Sequence, residues 1–119
     1  MNATLYHYPR CSTCRKAIKW LDSHGFSPEL RDLVAEPPDA GTLRDLWQRS
    51  GEPLRKLFNT SGESYRAGGF KDRLATMSDE DALTALAADG KLVKRPLLDL
   101  GDRVLVGFRE ADWAEALRT

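Results

Sequence analysis

The fold is decided by the stretch TLYHYPRCSTCRKAIKWLDSHG, residues 4–25. Its first five residues, 4–8, contain a β-branched residue and two tyrosines, which predicts a short strand. Cys11 and Ser12 lie in the turn that leads from this strand into a helix over about 13–24. That helix is predicted because apolar side chains recur at helical spacing at Cys14, Ala17, Ile18 and Leu21.

The end of the chain predicts a β-hairpin followed by a helix. Two β-prone runs, 97–100 and 103–106, flank a Gly-Asp pair, which is typical of an antiparallel hairpin. A further strand is predicted within SPELRDLV, residues 27–34. The last helix, over about 110–118, is expected to face inward through Ala111, Ala114 and Leu117.

The middle of the chain is predicted to be mainly helical, and we interpret about 38–92 as a helical insertion. One helix over 79–89 begins at a capping box formed by Ser78 and Asp81. Before it, residues 53–70 predict a short helical turn followed by a loop rich in Gly, Ser and Asn, which could form the rim of a site. An earlier helix has an apolar face made of Leu43, Leu46 and Trp47.

The order strand, helix, strand, several helices, hairpin and helix predicts an α/β fold. A CxxC pair at the start of the first helix in a β-α-β unit is typical of thioredoxin-like proteins. We therefore expect a single thioredoxin-like domain over 1–119, with a mixed four-stranded sheet and helices on both faces. At 119 residues the chain can bury a core without a disulfide.

The charge of the chain excludes some classes of partner. Lysines and arginines number 18, as do the acidic residues, so the formal net charge is +0 at pH 7. Without a global positive field we expect no direct binding to nucleic acid, although the balance of charges does not exclude a local basic patch. No apolar run approaches the roughly 20 residues of a membrane span, and the first ten residues lack the apolar core of a signal peptide. We expect a cytoplasmic protein without a membrane partner, in a compartment where structural disulfides are rare.

Cys11 and Cys14 are placed for thiol redox chemistry. A thiol at a helix N-terminus meets the positive end of the macrodipole and unpaired backbone N–H groups, and both favour the thiolate. Cys11 is therefore the candidate nucleophile, and Cys14, one turn further on, can attack a mixed disulfide formed on it. Alternatively, Cys14 is an inert core thiol, or the pair binds a metal, for which His7 and His24 lack finger-like spacing. We expect no metal and no cofactor.

Other residues are candidates for binding an anion near Cys11. In thioredoxin-like folds a proline before the third strand is commonly cis and faces the reactive thiol, so Arg95, which precedes Pro96, is expected to project toward that thiol. Arg95 could hold an oxyanion or stabilise the thiolate, or it could be an ordinary surface arginine. Ser12 and Thr13 could help to bind a small anion at the helix N-terminus, or could simply cap the helix.

Four segments together resemble one protein family: LYHYPRCSTCRKAIKWLDSHG, FNTSGESYR, LVKRPLL and VLVGFREADW. This is the arsenate-reductase-related family, which also contains the Spx-type transcriptional regulators. The resemblance runs nearly end to end and implies a thioredoxin-like domain with a helical insertion. It also implies that Arg95 is the active-site arginine, because the family has that residue in its RP motif.

The two branches of the family imply different details. Glutaredoxin-coupled arsenate reductases are similar at YHxPxC, which implies Cys11 as the nucleophile and His7 as a supporting histidine. From the residues alone, His7 could instead be a structural histidine. Cys14 has no cysteine counterpart in that branch, whereas the Spx-type branch is similar in having a CxxC. The family has a second arginine that grips arsenate, and its position corresponds to Asn59 here, which has no charge. Arg55, Arg66 or Arg109 would have to supply that charge.

These patterns predict a cytosolic thiol-disulfide oxidoreductase resembling arsenate reductase. Cys11 would attack an oxidant, a small oxyanion or a disulfide, Cys14 would resolve the adduct, and Arg95 would hold the anion or lower the thiol pKa. A thioredoxin, or a glutaredoxin with glutathione, would then restore the dithiol. The alternative, implied by the Spx-type resemblance, is a redox-switched regulator that binds the C-terminal domain of the RNA polymerase α subunit.

Overall fold

The computed structural model describes residues 3–118, and within them the centre is a four-stranded sheet in the order β2-β1-β3-β4. The strands are β1 Thr4–His7, β2 Glu29–Asp32, β3 Leu97–Asp99 and β4 Val104–Val106. β1 runs parallel to β2 and antiparallel to β3, and β3 and β4 form the predicted hairpin. The sheet is therefore mixed, as expected for a thioredoxin-like fold.

One face of the sheet is covered by α1, Ser12–Ser23, and α6, Glu110–Ala116. α1 buries most of its predicted apolar stripe, at Cys14, Ala17 and Leu21. The core on this side is formed by Leu5, Ala17, Leu21, Leu98, Leu100, Trp113 and Leu117.

The inward face of this helix is only in part the one predicted. Leu117, directly after α6, is buried as predicted, whereas Ala111 and Ala114 are exposed. Trp113 is buried in their place. The Trp113 ring packs edge-on against Phe108, with ring centroids 4.9 Å apart, and its Nε1 donates to the carbonyl of Gly107 at 3.0 Å. Because a tryptophan offers far more apolar surface than an alanine, the large side chain decides which face of this short helix is buried.

The segment between β2 and β3, all of which the structure describes, covers the other face. It consists of α2 Ala40–Ser50, a 3₁₀ turn Leu54–Leu57, α3 Glu63–Ala67, α4 Phe70–Arg73, α5 Asp79–Ala88 and a 3₁₀ turn Gly90–Leu92. The Ser78 hydroxyl accepts the N–H of Asp81 at 3.1 Å, which confirms the predicted cap of α5. Helices thus lie on both faces of the sheet, as predicted.

The loop predicted within residues 53–70 is partly helical. The helical turn at its start is observed, but α3 and α4 follow it, separated by a bend in which Gly69 has a φ of 66°. Helices this short are not stable alone. Aromatic packing holds them, with the ring centroids of Phe58 and Phe70 5.6 Å apart and those of Tyr65 and Phe70 6.1 Å apart.

A short backbone bridge joins this segment to the residues that precede β3. The N–H of Lys94 donates to the carbonyl of Leu57 at 2.7 Å, and the N–H of Asn59 donates to the carbonyl of Leu92 at 2.8 Å. The bridge places Asn59 beside the chain that leads into Arg95.

Candidate active site

Cys11 has a defined position at the N-terminus of α1. Its N–H donates to the carbonyl of Tyr8 at 2.9 Å, which closes the turn after β1. Cys11 has an extended backbone and is the N-cap of α1, because its Sγ accepts the N–H of Cys14 at 3.4 Å. The capping role considered for Ser12 or Thr13 is therefore filled by the candidate nucleophile itself.

The surroundings of Cys11 favour its thiolate. The residue is half-buried, and burial alone acts to raise the pKa of its thiol. The backbone N–H of Cys14 donates to the sulfur, and the thiol of Cys14 and the guanidinium of Arg95 lie beside it. Together these contacts outweigh burial and hold the pKa of Cys11 below its ordinary value.

The surroundings of Cys14 favour the protonated thiol instead. Its side chain is fully buried, and burial raises the pKa of its thiol to about 12, although the backbone of Tyr8 acts in the other direction. The hydrogen bond and the charge of neighbouring Cys11 add to the rise. Both residues are free thiols. The pair therefore consists of an acidic thiol at the surface and a protonated thiol buried one turn further on.

Arg95 reaches the same helix end from the segment that precedes β3. The Arg95–Pro96 peptide bond is cis, as predicted, and Pro96 is buried. The guanidinium donates to the carbonyl of Lys91 at 3.0 Å, and its Cζ lies 5.1 Å from the centre of the Tyr8 ring. Since Arg95 is half-buried, donates to the carbonyl of Lys91 and lies beside the sulfur of Cys11, it is not a freely solvated surface arginine.

His7 is buried at the end of β1, in register with Asp32 of β2. Its Nδ1 forms no hydrogen bond with any residue between 3 and 118. The Asp32 carboxylate accepts the N–H groups of Ala35 and Val34, at 3.0 and 2.9 Å, and these bonds hold the pKa of that carboxyl low. The ring of His7 is thus close to the loop before α1 without bonding to it through Nδ1, and its supporting role stays a prediction.

A cavity of about 1030 Å³ opens beside the reactive helix end. Among the predicted site residues, Cys11, Thr13 and Arg95 line it. Ser12 is exposed and does not line it. The remaining predicted site residues are buried in the protein: Cys14, His7 and Pro96.

The arginines considered for a second anion contact are not equivalent. Arg55 and Arg109 line the cavity, as does Asn59. Arg66 does not, and its guanidinium donates to the carbonyl of Ser61 at 2.7 Å. Arg55 and Arg109 are therefore the two that could supply charge to the cavity.

Sequence reasoning missed four further basic residues that line the cavity: Lys56, Lys71, Lys94 and Arg103. They come from the 3₁₀ turn Leu54–Leu57, from α4, from the residue before Arg95 and from the hairpin turn, so no local motif links them. Lys94 alone could have been found, since it directly precedes the RP motif.

Two other kinds of site are absent from residues 3–118. No three side chains of His, Cys, Asp or Glu lie together there as potential metal ligands. Nor does any helix in this range combine the length and the apolar character needed to cross a bilayer.

The sequence profile of the ArsC family matches residues 6–116. This chain belongs to the ArsC family. The solved structure of an ArsC-family-related protein from Bacteroides fragilis is 40% identical to it, with a TM-score of 0.93 and 97% of each chain covered. Protein YusI of Bacillus subtilis is 45% identical over 115 residues, which are 97% of this chain and 98% of YusI.

More distant ArsC-family relatives have functional names. An arsenate reductase of Rhizobium meliloti is 27% identical over 106 residues, which cover 87% of this chain and 74% of that protein. The regulatory protein MgsR of Bacillus subtilis is 25% identical over 109 residues, which cover 92% of this chain and 85% of MgsR. The predicted relationship to both arsenate reductases and regulators is confirmed at the level of the family.

Proposed function

We propose that this ArsC-family chain is a cytosolic thiol-disulfide oxidoreductase in which Cys11 is the nucleophile and Cys14 the resolving thiol. The observation that supports it best is the opposite shift of two thiol pKa values one helical turn apart, lowered at Cys11 and raised to about 12 at Cys14. Structural cysteines have no need of such a difference, whereas a nucleophile followed by a resolving thiol does.

The first step is attack by the Cys11 thiolate on an oxyanion or on a disulfide sulfur. Arg95 can hold the anion with a forked pair of hydrogen bonds, and the first backbone N–H groups of α1 offer further donors. The leaving oxygen or sulfur takes up a proton, and Cys11 carries the adduct.

The second step is attack by Cys14 on the adduct, and the order of the steps follows from the pKa values. Burial is the main reason for the high pKa of Cys14, and the hydrogen bond and charge of Cys11 raise it further. Once Cys11 is covalently bonded, that contribution disappears, so Cys14 loses its proton more readily after Cys11 has reacted than before. The products are the Cys11–Cys14 disulfide and a substrate reduced by two electrons, and a thioredoxin or a glutaredoxin with glutathione returns the electrons.

The test separates the two thiols. Cys14→Ser is expected to accumulate a mixed disulfide with glutathione at Cys11, detected by mass spectrometry, whereas Cys11→Ser is expected to accumulate none. Wild-type protein is expected to close the Cys11–Cys14 disulfide in the same glutathione buffer. Turnover of arsenate and of a disulfide is then followed with each electron donor. Unchanged turnover of every substrate by Cys11→Ser would show the proposal to be wrong.

A second candidate function is a redox-switched regulator that binds the C-terminal domain of the RNA polymerase α subunit. It is supported by the relationship to MgsR, whose name is that of a regulatory protein. The test is a pull-down with the isolated α-subunit domain, comparing the reduced protein with the disulfide form. Binding that depends on the redox state, in a protein without turnover, would favour this function over the first.

A further inference from the structure

The two edges of the sheet differ in a way that points to a binding site. β2 has the sequence ELRD, and its exposed Glu29 and Arg31 are the kind of charged residues that discourage a further strand from pairing. β4, Val104–Val106, is the other edge and has the sequence VLV without any charge. Since β4 has no charged residue to discourage pairing, its open edge needs a different explanation.

The register of the hairpin shows which backbone groups of β4 are unpaired. Hydrogen bonds run from the N–H of Leu100 to the carbonyl of Arg103 at 2.9 Å, and from the N–H of Gly107 to the carbonyl of Pro96 at 2.8 Å. Since pairs alternate along an antiparallel ladder, the groups of residue 105 also point toward β3. The N–H and C=O groups of residues 104 and 106 therefore point away from the sheet.

These unpaired groups belong to residues that line the cavity beside Cys11. All residues from 103 to 108 line it, so this cavity is a groove along the whole free edge of β4. Trp113 of α6 and Tyr65 of α3 also line the groove. The end of β4 at Gly107 bonds to Pro96, so the groove leads along the strand to Arg95 and the thiol.

The groove has more basic than acidic side chains, although the whole chain has no net charge. Its acidic members are Glu52, Asp112 and Glu115, and of these only Asp112 forms an ion pair within the described residues, with Arg109. Within residues 3–118 no ion pair involves the following basic residues of the groove: Arg55, Lys56, Lys71, Lys94, Arg95 and Arg103. An occupant with negative charge therefore fits this surface.

We propose that the groove binds an extended, acidic segment of a partner protein, which adds a strand to the free edge of β4 and carries a disulfide to Cys11. Backbone pairing with residues 104 and 106 gives the segment its direction, and the basic side chains select its charge. A site of this length suits the weak, transient complexes of redox proteins. The disulfide exchange at Cys11 rests on the proposed function, whereas the binding of the acidic segment to β4 does not.

The electrons balance within the complex. The Cys11 thiolate attacks one sulfur of the segment's disulfide, and the other segment cysteine leaves as a thiolate that takes a proton from solvent. Cys14 then attacks the sulfur of Cys11, and the first segment cysteine leaves and takes up the proton lost by Cys14. The segment ends as two thiols, and the protein as the Cys11–Cys14 disulfide.

The binding test uses cysteine-free probes, so its outcome is independent of the thiols. A fluorescein-labelled peptide of alternating Glu and Val is titrated with reduced wild-type protein and followed by fluorescence anisotropy. We expect a Kd of about 10–100 μM, and at least about tenfold weaker binding for the matched peptide of alternating Lys and Val. Methylation of one alternate set of peptide nitrogens is expected to weaken binding by about tenfold, while methylation of the other set has little effect.

Two measurements on the protein locate the contact. In NMR spectra of the complex, the amide hydrogens of Val104 and Val106 are expected to exchange more slowly than in the free protein, while that of Leu105 is unchanged. Arg103→Glu is expected to weaken binding about fivefold or more, and Lys19→Glu, the same charge change on an exposed residue of α1 outside the groove, less than about twofold.

Several outcomes would overturn the proposal. They are no saturation up to about 1 mM peptide, equal affinity for the Glu and Lys peptides, and no change in the exchange of Val104 and Val106. Protection of the same amides by self-association of the protein without peptide would show that a second copy, and not an acidic partner, covers the edge. If the peptide binds as expected but Cys11 of Cys14→Ser forms no mixed disulfide with glutathione, the groove stands and the proposed redox function fails.

Discussion

The guanidinium of Arg49 on α2 holds the carboxylate of Asp99 on β3 through two hydrogen bonds, Nη1 to Oδ1 at 2.6 Å and Nη2 to Oδ2 at 3.0 Å. Nη1 also donates to the carbonyl of Gly101 in the hairpin turn at 2.9 Å. The two side chains are only 27% and 20% exposed, so solvent weakens this pair less than it weakens a surface ion pair. The pair therefore fixes the helices between β2 and β3 to the hairpin.

Asp99→Asn is expected to lower the free energy of unfolding by about 1–2 kcal/mol, because one charged acceptor of a bidentate pair is lost. The matched control is Asp45→Asn, which removes the exposed (i,i+4) partner of the same arginine and is expected to cost about 0.3–0.5 kcal/mol. Urea denaturation at pH 7 measures both. Equal losses would contradict the assignment of the inner pair as the stabilising one.

The Asp99 contribution is expected to depend on pH. Arg49, against the effect of burial, holds the pKa of the Asp99 carboxyl below its ordinary value of about 3.9. A carboxyl with a lower pKa in the folded state stabilises the fold fully above that ordinary value and loses its contribution as pH falls through the folded-state pKa. The stability difference between wild type and Asp99→Asn should thus narrow as the pH falls below about 4. A stability difference that stayed constant as the pH fell would contradict this expected pH dependence.

Alkylation of the two thiols is expected to follow different pH profiles. Cys11 should react with iodoacetamide with a midpoint below the roughly 8.5 of a free thiol, while Cys14, with a pKa of about 12, stays unmodified. Arg95→Met removes a hydrogen-bond donor and a positive charge, so the Cys11 midpoint should rise. Arg10→Met, at an exposed neighbour of Cys11, is the control and should leave the midpoint unchanged. Peptide mapping by mass spectrometry assigns each rate to its cysteine.

The N-cap of α1 predicts how substitutions of Cys11 affect stability. Cys11→Ala removes the acceptor for the N–H of Cys14 and is expected to cost about 0.5–1 kcal/mol, whereas Cys11→Ser keeps an acceptor that helix N-termini prefer and should cost nothing measurable. Urea denaturation under reducing conditions tests the pair of variants. If serine proved as destabilising as alanine, the cap would not be the reason for the loss.

Gly90 is expected to tolerate no side chain. A Cβ there would collide with the carbonyl of Leu33, a backbone group at the end of β2 that cannot rotate away, so Gly90→Ala should lower the free energy of unfolding by about 1–3 kcal/mol. Gly41→Ala is the matched control, since the nearest atom to a Cβ in this exposed part of α2 is Asp39 Oδ1 at 3.6 Å, and it should stabilise the protein by about 0.5 kcal/mol. A loss at Gly41 equal to that at Gly90 would exclude the collision as the cause.

Sequence patterns predicted the elements whose signals are local. The strand and helix around Cys11, the cap at Ser78 and the hairpin follow from residues close together in the chain. α3 and α4 were missed because helices of five and four residues carry no periodic signal and depend on the packing of Phe58 against Phe70.

The candidate site was predictable only for those residues that lie within one continuous stretch of sequence. The placement of Cys11 and Cys14 follows from the start of α1, and that of Arg95 from the proline after it. Residues of the segment 53–70, predicted as the rim of a site, do line the groove. The groove as a whole was not predictable, because its other lining residues come from distant segments and include the free edge of β4. Capping of α1 was considered only for Ser12 or Thr13, since hydroxyl residues are the usual caps and a thiol is not.

The zero net charge of the chain does not mean that charge is evenly spread. Seven basic and three acidic side chains line the cavity beside Cys11, which leaves eleven basic and fifteen acidic side chains for the rest of the molecule. The surface beside the thiol therefore has an excess of positive charge, and the rest of the molecule an excess of negative charge. A negatively charged partner exerts a torque on such a body and rotates the thiol toward itself before contact, and this orientation weakens with salt, as the screening length falls to about 10 Å at 0.1 M.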